Sequence, residues 1–377
     1  MEKLKKNYLG LPLFVSICVL SLAVIAIFIG SFLDLKISNG LYHKTSFGDF
    51  FEKYELFIPY FFYIFAGSLL FIAFKEKGKK VTAWGLFIIV YLYTMFLALN
   101  NMGSAMRTAF GYSIYNVWGP TILSIIYTFI LFSWIMPISY FFIKKDNPKL
   151  LIKIASFILI AGIFSYGVNE FLKVFVSRPR YRYLITLKDD LAGFKNWWEF
   201  NPYTASNKNF QSFPSGHITL ATTVCVLPFI SKVFKYRFKY MEWVLFALSF
   251  TFVVLVAYNR LHMGAHFFTD VSFAAFNTYG IFLVTYILIF KEDDLKEEKT
   301  NLALAKPKIE EKIVEKKEVN QDSSKNNSYK KGMADGEAKK LNEVIKNMNR
   351  GGLEAKRIAK LLKIDIIEVN EVLKINR

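Results

Sequence analysis

Three short segments in the second half of the chain carry side chains that are suited to chemistry on phosphate. They are residues 173–180, 214–217 and 259–270. Their principal groups are three fixed cations, two imidazoles and one carboxylate: Lys173, Arg180, Arg260, His217, His266 and Asp270. Cations neutralise an anionic phosphoester and hold it in line, and an imidazole can attack phosphorus or transfer a proton. The combination predicts a site that binds a phosphate and breaks its ester.

The elements that must position these segments are membrane helices. Hydrophobic residues form 54% of the 377 residues, with 39 Phe and 21 Tyr, which is more apolar surface than a soluble domain easily buries. Several of the apolar runs reach the ~20 residues that a helix needs to cross ~30 Å of hydrocarbon. We therefore predict an all-α integral membrane protein with about eight transmembrane helices, the first an uncleaved signal anchor. The eight runs are residues 11–33, 56–74, 81–99, 121–143, 150–176, 218–233, 241–258 and 271–290.

Basic residues cluster before the first run and in alternate short loops. They are Lys3, Lys5, Lys6, Lys75, Lys77, Lys79, Lys80, Lys144, Lys145, Lys149, Lys235, Arg237 and Lys239. The positive-inside rule places these loops and both termini in the cytoplasm of a multi-pass cell-membrane protein. The loops of residues 177–217 and 259–270 then share the outer face, so the three segments can meet there.

The charge of the chain is unevenly distributed. Residues 291–377 contain 21 Lys and Arg against 17 Asp and Glu, which leaves 27 against 13 for the preceding part. That excess is typical of contact with lipid headgroups and phosphate, and it indicates nucleic acid only weakly. Cys18 and Cys225 both lie inside apolar runs, so no disulfide is implied.

The three segments resemble the signature of the type 2 phosphatidic acid phosphatase superfamily. That signature reads Lys-x6-Arg-Pro, then Pro-Ser-Gly-His, then Ser-Arg-x5-His-x3-Asp, and it corresponds here to Lys173 and Arg180, to residues 214–217, and to Arg260, His266 and Asp270. The resemblance covers roughly residues 150–290. It implies a six-helix phosphatase-type core to which the N-terminal helices are additional.

Two positions depart from this signature. Tyr181 stands where the family has Pro, although Arg178 and Pro179 just upstream supply a rigid turn, and Asn259 stands where the family has Ser. Neither change removes a charged or nucleophilic group. We expect them to affect fine positioning and substrate choice more than activity.

The resemblance also implies roles for the site residues. His266 would attack phosphorus and form a phosphohistidine, and Asp270 would fix its tautomer by accepting from the other ring nitrogen. His217 would protonate the leaving oxygen and later activate water. The phosphate-binding groups would be Lys173, Arg180, Ser215, Gly216 and Arg260. The scheme requires no metal or other cofactor, and we expect none.

Several of these residues have a purely structural alternative. Asp270 could cap the last membrane helix, and Ser215 could serve turn geometry alone. Three cationic residues could be interfacial side chains that reach lipid headgroups: Lys173, Arg178 and Arg182. Glu170 could pair with Lys173 or mark the polar end of its helix. His262 matches no position of the signature, and we interpret it as a loop or packing histidine.

We divide the chain into four regions. Residues 1–149 form N-terminal transmembrane helices, residues 150–290 the phosphatase motif region with its outer loops, residues 291–332 a charged flexible linker, and residues 333–377 a small cytoplasmic helical module. The module has apolar residues at the spacing of three short helices. Such spacing occurs in DNA-binding modules, in docking or self-association modules and in passive tails; we favour a protein partner or self-association over nucleic acid.

Two classes of function follow from this sequence. The favoured one is an integral-membrane phosphatase that hydrolyses a lipid phosphate or diphosphate at the outer leaflet, or a phosphotransferase that uses the same site. The other is a non-enzymatic scaffold that binds lipid phosphate. Binding alone needs only the cations, so the presence of His217, His266 and Asp270 favours an enzyme.

Overall fold

A computed structural model describes most of the chain. The described residues are 7–109, 126, 129–130, 133–187, 191, 193–200, 207–291, 331–350, 353–362, 364 and 366–373. The chain divides into two compact units, one of residues Lys6–Phe290 and one that combines Met1–Lys5 with Lys291–Arg377.

The larger unit begins with two short antiparallel strands and continues as helices. The strands are β1 (Asn7–Tyr8) and β2 (Leu11–Pro12). The described helices are α1 (Leu13–Leu41), α2 (Ser46–Tyr54), α3 (Phe57–Glu76), α4 (Lys80–Ala109), α5 (Ile135–Phe142), α6 (Pro148–Val176), α7 (Tyr181–Leu184), α8 (Gly216–Thr222), α9 (Leu227–Ile230), α10 (Met241–His262) and α11 (Phe268–Lys291). Short 3₁₀ turns occur at Lys208–Phe210, Thr223–Val226 and Ser231–Val233.

Seven helical segments among the described residues are long and apolar enough to cross a membrane. They are Leu13–Leu41, Ser46–Glu76, Lys80–Ala98, Pro148–Leu184, Gly216–Val233, Met241–His262 and Phe268–Lys291. These correspond to seven of the eight predicted runs, and the prediction of an all-α integral membrane protein is confirmed. The remaining run, residues 121–143, lies partly outside the described residues, and its longest described stretch, residues 133–143, contains α5.

Helix α3 is the centre of this unit, and it packs against α4, α5 and α6. Helix α6 approaches α3 closely at Gly162, which has no side chain. A Cβ atom at this position would lie 2.6 Å from the ring of Tyr63. By contrast, α1 and α10 expose large apolar side chains such as Phe28, Phe32 and Leu248. Such a continuous apolar surface is typical of contact with lipid.

Helix α6 separates two ends of the unit. Two of the basic loops meet near its N-terminal end. The loop before α6 and the loop before α10 pair through a β-bridge between Ile143 and Phe234. Its C-terminal end carries the segment of residues 173–180. A helix of 29 residues is about 43 Å long at 1.5 Å per residue. The candidate site and these two basic loops therefore lie at opposite ends of a membrane-length helix.

The smaller unit contains three helices in its described part, as the sequence predicts. They are α12 (Lys331–Arg350), α13 (Ala355–Leu362) and α14 (Ile366–Leu373). Their buried core consists of Ile345, Ile358, Ala359 and Val369. The predicted linker, residues 291–332, lies almost entirely outside the described residues. A protein partner for this unit stays a prediction.

Candidate active site

The C-terminal end of α6 brings Lys173 to the Pro-Ser-Gly-His segment. Ser177 ends the helix in the left-handed conformation, with φ of 42°, and donates its N–H to the carbonyl of Lys173 at 3.0 Å. Glu170, one turn earlier, accepts from the Lys173 ammonium at 2.6 Å. A Cβ atom on Gly216 would lie 3.0 Å from this ammonium. Lys173 therefore lies next to the first backbone groups of α8.

Ser215 connects the second segment to the third. Its hydroxyl caps α8 by accepting from the N–H of Ile218 at 3.5 Å, and its own N–H donates to the carbonyl of Asp270 at 3.2 Å. One turn into α8, Thr219 donates to Asn169 of α6 at 2.9 Å. The hydroxyl therefore has the capping role that the sequence left open, and the backbone ties α8 to α11.

A backbone carbonyl fixes the ring of His266. The Nδ1 atom lies 2.5 Å from the oxygen of Ser212. A carbonyl only accepts hydrogen bonds, so Nδ1 carries the proton and Nε2 keeps its lone pair. Burial, followed by the positive charges of Arg180 and Arg260, holds the pKa of His266 well below its ordinary value. A neutral ring with a free Nε2 is the form that a nucleophile requires.

Asp270 does not bind the His266 ring directly, contrary to the role that the resemblance implies. Its Oδ2 lies 3.9 Å from Nδ1, beyond hydrogen-bonding distance. This oxygen accepts instead from the Ser212 hydroxyl at 2.5 Å and from the N–H of Phe267 at 2.8 Å. Because Ser212 supplies the carbonyl for His266, Asp270 orients the ring through that loop. The contact with Phe267 also caps α11, so the structural alternative for Asp270 holds as well.

Arg178 is buried beside this loop, so its interpretation as an interfacial side chain is wrong. Its side chain is 0% exposed. It donates to Asp270 at 2.6 Å and to Thr269 and Asp34 at 2.8 Å each. Asp34, on α1, also accepts from the N–H of Thr269 at 2.9 Å. The guanidinium lies 4.1 Å from the centre of the Phe267 ring. One cation thus joins two buried carboxylates from opposite ends of the larger unit's sequence.

Helix α10 places Arg260 between two carboxylates that α2 supplies. Its Nη1 lies 3.0 Å from Glu52 and its Nε 3.2 Å from Glu55. Both are ion-pair contacts of a fully buried guanidinium. Glu55 also lies 3.7 Å from Nε2 of His217. The second and third segments therefore face the same carboxylate.

Arg180 completes the group of cations. Its backbone N–H donates to the carbonyl of Asn209 at 2.8 Å, and Nη2 reaches the carbonyl of Gln211 at 3.5 Å. Its Nε has no hydrogen-bond partner among the residues that the structure describes. Arg182, by contrast, is 37% exposed and lies 3.8 Å from Glu52 at the edge of the site.

The region that contains the three segments is similar to known proteins. Residues 150–294 match the model of the PAP2 superfamily. We call these matched residues the PAP2 region. The predicted resemblance is thereby confirmed.

One relative of the PAP2 region is the lipid A 4′-phosphatase of Porphyromonas gingivalis. The two sequences are 26% identical over 180 residues, which are 47% of this chain. The match covers 64% of the relative, so the chain spans less than two thirds of that protein's length. No solved structure matches the chain.

The two departures from the PAP2 signature both contact the N-terminal helices. The hydroxyl of Tyr181 donates to Asn39 of α1 at 2.6 Å. The side-chain amide of Asn259 donates to the carbonyl of Gly48 and to Glu55, each at 3.4 Å. These residues therefore attach α1 and α2 to the PAP2 region.

Three acidic residues of the site were missed in the sequence: Asp34, Glu52 and Glu55. A signal for Asp34 was available, because an ionisable residue at the end of an apolar run is costly unless it has a partner. Glu52 lies in the short helix α2 and Glu55 directly after it, and neither has such a signal. The N-terminal helices therefore contribute to the site and are not merely additional to it.

The Nδ1 atom of His262 lies 3.1 Å from the carbonyl of Leu41, and its ring stacks on Tyr258, as expected of a packing histidine. In the described part of the chain, no group of three or more His, Cys, Asp and Glu has an arrangement suited to a metal ion. The expectation that no cofactor is needed stays a prediction.

Proposed function

We propose that this protein is an integral-membrane phosphatase that hydrolyses a lipid phosphate or diphosphate through a phosphohistidine at His266. The proposal depends on one observation. The Ser212 carbonyl holds Nδ1 of His266 in its protonated form, so the nucleophilic Nε2 is available in a region that also contains Arg180 and Arg260. A scaffold that only binds lipid phosphate has no need for this fixed tautomer.

The proposed reaction has two steps. In the first, Nε2 of His266 forms a bond to phosphorus, the ester P–O bond breaks, and His217 gives its proton to the leaving oxygen. In the second, His217 takes a proton from water, the water oxygen attacks phosphorus, and the P–N bond breaks to release phosphate. Lys173, Arg180 and Arg260 neutralise the charge on the phosphoryl oxygens in both steps.

The substrate that we propose is a phosphorylated saccharolipid. Support comes from the relative whose name states an action on the 4′-phosphate of lipid A. Isoprenoid diphosphates and phosphatidic acid-like lipids present the same phosphoryl group to the cations, so they are the comparison substrates.

Phosphate release by the purified full-length protein tests this function. We expect release from at least one member of a panel of lipid A, an isoprenoid diphosphate and phosphatidic acid, in the presence of EDTA. Vanadate should inhibit, because it mimics five-coordinate phosphorus. A reaction that EDTA abolishes and magnesium restores would contradict metal independence. Transfer of phosphate to a lipid acceptor, without free phosphate, would identify a transferase instead.

We further propose that the site faces the outside of the cell and that both termini are cytoplasmic, because basic residues cluster in the loops at the other end of α6. Asn207→Cys should react with an impermeant thiol reagent in intact cells, whereas Lys79→Cys and Lys144→Cys should react only after permeabilisation. The parent chain is the control, since Cys18 and Cys225 lie within membrane-spanning segments. Equal labelling of all three variants in intact cells would refute this orientation.

A further inference from the structure

Helix α2 is docked tightly on the PAP2 region, although it belongs to the N-terminal part of the chain. Its N-cap, Thr45, accepts from the N–H of Gly48 at 3.0 Å. A Cβ atom on Gly48 would lie 2.4 Å from the sulfur of Met263 and 3.2 Å from Oδ1 of Asn259. Only glycine allows this approach without displacement of its neighbours. The acidic side chains at the end of α2 are therefore held in place by its packing.

Glu55 lies directly after α2 and contacts two groups of the proposed reaction. Its side chain is buried, with 3% of the residue exposed. Oε1 lies 3.2 Å from Nε of Arg260 and 3.7 Å from Nε2 of His217, and Oε2 accepts from Asn259 at 3.4 Å. A carboxylate is costly to bury unless it is paired, and Arg260 supplies the counter-charge here.

The surroundings of His217 explain why a carboxylate is needed there. Four charged side chains act on it: Lys173 of α6, Arg180 before α7, Arg260 of α10 and Glu52 of α2. Glu55, directly after α2, lies 3.7 Å from its Nε2. His266, in the loop before α11, is the neighbouring imidazole. The three cations disfavour a protonated imidazole, yet His217 must carry a proton when the ester bond breaks. A nearby negative charge opposes their effect.

We propose that Glu55 is a positioning residue for the proton transfer: it orients His217 and stabilises its protonated form for donation to the leaving oxygen. This inference rests on the proposed function of His217 as general acid. Glu55 lies outside the matched residues 150–294, so the assignment adds a residue of the N-terminal helices to the reaction.

The role of Glu55 can be tested by comparing the effect of its replacement on substrates with a poor and with a good leaving group. An alkoxide is a poor leaving group and needs a proton, whereas 4-nitrophenolate leaves without one. In Glu55→Gln, we expect kcat/KM for a short-chain alkyl phosphate to fall by about 10²-fold, the usual size of a general-acid contribution. For 4-nitrophenyl phosphate we expect a decrease of less than about fivefold. The ratio of the two values, measured on one full-length preparation, does not depend on the fraction of folded protein.

Three variants act as controls. Asp49→Asn removes a negative charge from α2 at a position away from His217. It should leave kcat/KM for both substrates within about twofold of the parent values. Glu55→Asp keeps the charge on a shorter side chain, so its ratio should lie between those of the parent and Glu55→Gln. His217→Gln should show the same leaving-group dependence, and adding Glu55→Gln to it should change the ratio little, since residues that act as a unit are not additive.

Failure of the Glu55 assignment can be distinguished from failure of the proposed phosphatase function. If the parent protein cleaves neither substrate, the proposed function fails. If the parent is active and Glu55→Gln loses both activities equally, including a complete loss of both, Glu55 has only a structural role and the inference is wrong. A selective loss on the alkyl phosphate supports it.

Discussion

Replacing His266 with alanine should lower turnover by at least ~10³-fold, because a positioned acid or base alone contributes ~10² to 10⁴ and a covalent step is lost in addition. The Ser212 carbonyl would lose its ring partner, but the cations that we propose to bind phosphate would stay in place. The turnover of His266→Ala and of the parent can be compared from initial rates of phosphate release by the full-length proteins. Rapid quenching of the parent with a radiolabelled substrate should trap acid-labile phosphate on His266.

His43 offers a matched control for this variant. It is an exposed histidine in the loop after α1, and its ring lies 5.8 Å from that of His262. His43→Ala should keep activity within about threefold of the parent. Activity of His266→Ala within tenfold of the parent, or phosphate trapped on His217, would overturn the assignment of the nucleophile.

Replacing Arg178 with methionine should strongly destabilise the folded protein. The change removes the guanidinium that binds Asp34 at 2.8 Å and Asp270 at 2.6 Å, and it leaves two carboxylates buried without a counter-charge. Breaking a buried ion pair in this way costs ~3–5 kcal/mol, which corresponds to a decrease in Tm on the order of 10 °C for a domain of this size. The shift in Tm can be measured by heating the detergent-solubilised protein and determining the fraction that remains monodisperse at each temperature.

Two further variants identify the cause of this destabilisation. Arg182→Met removes an arginine that is 37% exposed and 3.8 Å from its carboxylate partner. It should change Tm by less than about 3 °C, because exposed ion pairs contribute ~0–1 kcal/mol. Adding Asp34→Asn to Arg178→Met should recover part of the loss, since one unpaired carboxylate disappears. A Tm of Arg178→Met within about 2 °C of the parent would show that the network contributes little to folding.

Local sequence patterns were sufficient for the membrane helices and for the proposed reactive groups. Apolar runs of membrane length predict their helices because a helix satisfies its own backbone hydrogen bonds in lipid, independently of its neighbours. The three polar segments occur at the ends of such runs. Alternation of basic loops puts the segments on one face, so the sequence alone brings Lys173, His217 and His266 to the same region. The contacts between these segments in the structure agree with that placement.

The direct hydrogen bond between His266 and Asp270 that the resemblance implies does not form, because the two residues do not share a helix. His266 and Asp270 are four residues apart, a separation that brings side chains together within a helix. The described helix α11 begins only at Phe268, so His266 lies in the preceding loop and its Nδ1 finds the Ser212 carbonyl instead. A sequence pattern cannot show where a helix begins to this accuracy, because capping contacts such as that of Asp270 with Phe267 decide it.

The acidic partners of the site were determined by tertiary structure alone. Asp34 and Arg178 are 144 positions apart in the chain, and Glu55 and Asn259 are 204 positions apart. Contacts at such separations leave no periodic signal in the sequence, since they arise from the packing of whole helices. The sequence by itself determined the membrane helices and the groups proposed to react with phosphate. Only the packing of α1 and α2 against the PAP2 region decided which carboxylates surround those groups, because a buried cation such as Arg178 needs a counter-charge from whichever helix is adjacent.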